Sequence, residues 1–193
     1  WIVEHDCRIV TVDIDNTGDI GAVFDSLIIP PLSAGSTKIQ LGGILHVSGN
    51  IFAVYFSDFN ALPREAVFLK TFDVDVAGNI GAVIDSLEVG FCAPIYGLEM
   101  SQLSGSLYVL AYEDNIGNGT LKTTTIDSDG TIGAVTDTLE FDTNIAGRRP
   151  GMLSITTSIL VIAYTADTNH GVLTTVGPAV ILATVTTEPE TGL

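Results

Sequence analysis

The chain has 193 residues, 46% of them hydrophobic, with a mean hydropathy of +0.44. Its 23 Asp and Glu outweigh 7 Lys and Arg, for a net charge of −16 at pH 7. That balance excludes nucleic acid and anionic membrane surfaces as partners, since both are recognised through basic patches; no apolar run has the length of a spanning helix, which argues against membrane insertion.

In chain order, the first residue is Trp1, and no signal-like apolar stretch accompanies it. The expectation is a processed mature form or an excised piece. Residues 9–29 then read IVTVDIDNTGDIGAVFDSLII, and the phrase returns as LKTFDVDVAGNIGAVIDSLEV at 69–89 and LKTTTIDSDGTIGAVTDTLEF at 121–141. Each copy opens on an alternating, Thr- and Val-rich run, which predicts a strand. A glycine turn follows at Gly18, Gly78 or Gly130, because a tight hairpin needs positive φ. The Ile-Gly-Ala-Val segment is the returning strand, and its small residues predict close approach of a neighbouring sheet.

Between these hairpins lies a second module: HVSGNIFAVYFSD at 46–58, QLSGSLYVLAYED at 102–114 and SITTSILVIAYTAD at 154–167. It predicts two strands around a Ser-Gly turn. The second of them is apolar on both faces, as in a strand covered on both sides. In the second copy the four strands are expected at about 38–47, 51–57, 67–75 and 80–89. Leu69, Leu121 and Leu173 recur at one constant interval, and helix signals are absent. The fold class is all-β: a propeller-like array of four-stranded antiparallel blades, about three and a half to four of them. The single repeat domain, 1–193, divides into a half-blade at 1–29, blades at 37–89 and 94–141, and a blade at 150–187 that is degenerate at its end.

The phrase L-K-T-x-x-I-D-x-x-G-x-I-G-A-V-x-D-S-L-E, followed by S-G-x and an apolar A-Y strand, resembles the propeller-type repeats of large secreted and cell-surface proteins of bacteria and archaea. The resemblance covers almost the whole chain. It implies an extracellular or cell-surface setting and transfers no catalytic residue.

The half unit leaves three closures open. In a ring closed by the chain itself, the N-terminal strands complete the last unit and the apolar tail is surplus. In a second reading the chain is a fragment of a longer ring. In the third, another copy completes the open unit, with Ala179, Val180, Ile181, Leu182 and Val185 as a donated strand; such head-to-tail contact makes oligomers or filaments.

Candidate chemistry is sparse. Asp13, Asp15, Asp73, Asp75, Asp127 and Asp129 sit in Asp-x-Asp-x-x-Gly-like runs that resemble the start of a calcium loop, but no Glu follows at the EF-hand position. The competing reading, which the chain favours, is that these residues shape hairpin turns. Asp25, Asp85 and Asp137 recur before Ser or Thr and are expected to bond local backbone. Cys7 and Cys92 are a disulfide candidate on one end of the array, or two buried thiols. Asn118 heads the one glycosylation sequon. His5, His46 and His170 are isolated, and the expected innermost strands carry only Glu99 where a glycosidase needs two carboxylates.

The expectation is a non-catalytic, extracellular structural or adhesive repeat protein. It carries no cofactor beyond the calcium candidates, and it self-associates through unpaired blade edges. A glycan-binding propeller module is the alternative, and a propeller glycoside hydrolase the third.

Overall fold

The computed structural model describes residues 7–29, 38–59, 65–92, 97–143, 148–166, 170–177 and 180–186. Among them are fourteen strands and no helix. The first sheet contains β1 (Cys7–Ile14) and β2 (Ile20–Ile29). The second contains β3 (Lys38–Ser48), β4 (Ile51–Phe59), β5 (Glu65–Val74) and β6 (Ile80–Cys92). The third contains β7 (Leu98–Ser104), β8 (Leu107–Glu113), β9 (Gly119–Thr125) and β10 (Asp137–Asp142). The fourth contains β11 (Arg148–Thr156), β12 (Ile159–Thr165), β13 (Gly171–Gly177) and β14 (Val180–Thr186). Every strand pairs antiparallel with its neighbour in sequence, and no sheet closes on itself.

Period-two alternation decides which core each side chain enters. In β4, Val54 and Phe56 point back, where they and Phe72 of their own sheet meet Ile29 of the first. Ala53 and Tyr55 point forward and meet Leu98, Met100 and Tyr108 of the third sheet. In β8, Tyr108, Leu110 and Tyr112 point back, while Val109 and Ala111 point forward to Leu160 and Ile162. Both faces of β4 and β8 are thus covered, which accounts for their uninterrupted apolar runs. Phe141 and Tyr164 meet across the third core, rings edge-on at 5.0 Å. Burial of each such side chain contributes about 1.5–3 kcal/mol. The three cores join consecutive sheets only, and β3, β7 and β11 lie next to one another along the stack.

The tail is not surplus. Val180–Thr186 is β14, the fourth strand of the last sheet, paired with β13 from Val172↔Thr186 to Gly177↔Val180. The fourth sheet therefore needs neither the N-terminal strands nor a donated one, and this revises two of the three closures. Val185 is exposed on it; Ala179 lies outside the described residues.

Cys92 is a free, buried thiol and not half of a disulfide. The reason is the side on which it packs. Its side chain enters the core between the second and third sheets, whereas Cys7 pairs with Ile29 in the first sheet, beyond the second.

Candidate functional site

The repeated phrase builds a clasp between sheets. Antiparallel register sets a threonine opposite an aspartate three times: Thr11↔Asp25, Thr71↔Asp85 and Thr123↔Asp137. The first pair reaches forward to the next sheet. Thr11 Oγ1 donates to the Gly78 carbonyl at 2.6 Å, and the Ile80 N–H donates to Asp25 Oδ2 at 2.8 Å. One sheet on, Thr71 Oγ1 donates to the Gly130 carbonyl at 2.6 Å, and the Ile132 N–H donates to Asp85 Oδ2 at 2.8 Å. Each clasp therefore grips a Gly-x-Ile tip through one carbonyl and one N–H.

The expected local role of these aspartates is also present. Oδ1 of Asp25, Asp85 and Asp137 accepts the N–H of the following residue at 2.7, 2.7 and 2.8 Å. That bond fixes the carboxylate so that its other oxygen faces the next sheet. The cross-sheet half was not visible in the sequence, because the partner lies far along the chain.

The Leu-Lys-Thr triplet now has a division of labour. Leu121 points forward into the core shared with the fourth sheet. Lys122 points the other way, and its Nζ donates to the Val89 carbonyl of the second sheet at 2.9 Å.

The glycines divide similarly. The turn glycines Gly78 and Gly130, at φ of 87° and 93°, are the ones met by the preceding sheet. A Cβ on Gly130 would stand 3.0 Å from Ile84 Cδ1, and one on Gly78 3.4 Å from Phe24. Gly81 of the Ile-Gly-Ala-Val segment serves its own hairpin, since a Cβ there would collide with the Asp73 carboxylate. This corrects the expectation that the segment's small residues admit a neighbouring sheet.

The calcium candidates are occupied by turns. Asp15 Oδ1 accepts the N–H of Thr17 at 2.8 Å, that of Asp19 at 3.0 Å and the Thr17 hydroxyl at 2.6 Å. Asp75 Oδ1 accepts from Ala77 and Asn79, and Oδ2 from the Asn79 amide. Asp129 accepts from the Thr131 N–H. Asp13 packs its Cβ side against Gly21, and Asp127 lines an open cleft. Among the described residues, no three His, Cys, Asp or Glu gather as a metal-holding group.

These bonds hold three carboxyls below the ordinary aspartate value, led by the Thr17 hydroxyl for Asp15, the Asn79 amide for Asp75 and the Thr131 N–H for Asp129. A depressed folded-state pKa stabilises above the unfolded value and loses that contribution as pH falls through the folded one. The expected result is a melting-temperature gap between the native chain and Asp75→Ala that is full above about pH 5 and narrows in acid below about pH 4. Thermal melts in matched-salt buffers measure it.

Other expected sites are less open than their sequence context indicates. Asn118 is 9% exposed, and it closes a tight turn in which the Asp114 N–H donates to its carbonyl at 2.8 Å. Tyr112 and Tyr164 are core residues that point back, whereas Tyr55 points forward and Phe56 takes their place in the second sheet. The Cys92 thiol is pushed up by burial, with Glu65 adding to the effect, so it is a poor nucleophile.

Two clefts among the described residues lie beside the repeated phrase. One of about 640 Å³ lies between the turn ends of the second and third sheets, with Gln102, Asp127, Ser128 and Asp129 on its walls. Tyr108 lies in its lining but is 1% exposed and offers no stacking face. The other, of about 450 Å³, separates the third and fourth sheets beside Thr123 and Asp137. Of the three inner strands, only β7 carries a carboxylate, Glu99; burial pushes that carboxyl up.

Searches of family models, curated proteins and solved structures find no match to this chain.

Proposed function

We propose that the chain is a non-catalytic structural repeat protein, propeller-like in the stacking of its sheets, that self-associates head to tail through its two end faces. The acidic, lysine-poor composition supports an extracellular or cell-surface setting. One observation carries the reading. Leu69 and Leu121 point forward and are 0% and 5% exposed, whereas Leu173, in the same place on the last sheet, is 46% exposed. Ile155 and Val185 are exposed beside it in the same sheet. At the other end, Val10, Val12 and Ile28 of the first sheet are exposed on the face away from the second.

Contiguous exposed apolar faces of this kind are interaction surfaces. The two are different surfaces, so their contact is heterologous, which yields rings when it closes and filaments when it does not. Contact here is between faces, in place of the edge pairing expected from the sequence.

Light scattering across a concentration series tests the reading. The native chain is expected to grow beyond the monomer mass, and Leu173→Asp to stay monomeric. A native chain that stays monomeric at millimolar concentration overturns it.

A further inference from the structure

Among the described residues, nothing takes the place at the third clasp that a Gly-x-Ile tip takes at the first two. The phrase that supplies Gly-x-Ile is missing from the last sheet. Only Pro178 and Ala179 separate β13 from β14. Thr123 and Asp137 nevertheless keep the register of the filled clasps. Asp137 Oδ1 is held by the Thr138 N–H at 2.8 Å, as in Asp25 and Asp85. Thr123 Oγ1 meets Thr136 Oγ1 at 2.9 Å, and Thr136 Oγ1 also lies 3.3 Å from the Thr123 carbonyl; with Thr136 as the donor, the Thr123 hydroxyl proton is left to point outward. Beside them lies the cleft of about 450 Å³, walled by Val109, Leu121, Leu139, Leu160 and Val176.

We propose that this cleft is a peptide-binding site for a Gly-x-Ile segment of a separate polypeptide, held in the turn conformation of the filled tips. The two filled clasps define the ligand chemistry. A glycine carbonyl accepts from threonine, the N–H two residues later donates to aspartate, and the branched side chain enters the apolar space between sheets, as Ile80 and Ile132 do. Glycine leads because the residue that offers the carbonyl stands at positive φ in both filled clasps, 87° at Gly78 and 93° at Gly130. A linear segment fits this geometry better than a hairpin, because the body of the fourth sheet already occupies the place where a hairpin's strands would run. Recognition is through backbone groups and one apolar pocket, a mode shared with other peptide grooves.

The probe is a capped peptide of residues 76–82, Val-Ala-Gly-Asn-Ile-Gly-Ala, titrated into the full chain and followed by amide NMR shifts. Saturable shifts are expected at Thr123, Asp137 and Leu139. A peptide methylated on the isoleucine nitrogen, and the Asp137→Ala chain, are each expected to bind about tenfold or more weakly, as for loss of a charge-assisted hydrogen bond. The methylated peptide requires no protein variant, so a folding defect cannot mimic the result. No saturable shift, or equal binding of the methylated peptide, overturns the proposal. Shifts at the same residues that depend on protein concentration without peptide overturn it in favour of a second copy, whose own Gly18–Ile20 tip is exposed.

Discussion

Leu69→Ala and Leu121→Ala are each expected to lose about 2–5 kcal/mol of unfolding free energy, and Leu173→Ala less than about 1 kcal/mol. The three leucines hold the same position in the repeat. They differ in what lies in front of them: the third sheet for Leu69, the fourth for Leu121 and solvent for Leu173. Truncation inside a packed core removes transfer free energy and leaves a cavity, whereas truncation on an open face leaves neither. Urea unfolding below the self-association concentration measures all three. A deficit at Leu173 matching that at Leu69 in this dilute regime contradicts the open end face. A deficit that appears only at high concentration reports the face being covered by a second copy, through mass action.

The second large effect belongs to the clasp. Asp85→Ala is expected to cost about 1–3 kcal/mol, because the half-buried Ile132 N–H loses a charged acceptor. Asp85→Asn restores an acceptor oxygen and is expected to recover most of the loss. Asp137→Ala, which removes the same residue where no tip is held, is expected to change stability by less than about 0.5 kcal/mol. Thermal unfolding of the three variants separates the cases. Equal losses for Asp85→Ala and Asp137→Ala show that only the local bond to the following N–H matters.

The repeat made much of this fold legible. The expected strands at 38–47, 51–57, 67–75 and 80–89 appear as β3 to β6 with ends shifted by a few residues, since alternation and turn glycines are local signals. What was hidden depends on the face a residue presents. Asp25 and Asp85 look like local turn formers because their partners, Ile80 and Ile132, belong to the next unit. Tyr55 looks equivalent to Tyr112 and is not, because a shift of one residue in a strand reverses the face. Cys7 and Cys92 share an end of the array, but a whole sheet separates them. The Asp-x-Asp-x-x-Gly runs suggested calcium because oxygen ligands and turn acceptors are the same groups. In the structure Asp15 and Asp75 accept the N–H groups of their own turns. The tail was misplaced because β14 lacks the phrase that marked the other returning strands, although its pairing with β13 needs only backbone groups.

The forward reach of Thr71 and Asp85 and the backward reach of Lys122 give the chain a direction. The first and second sheets each hand the same pair of grips to their successor. A genetic duplication or excision of one whole period then joins parts that already match, and no new side chain has to arise at the splice. Chains of different reach can descend from one ancestor by slippage alone. Selection would act on the two terminal units, the places where a grip or a face is left over.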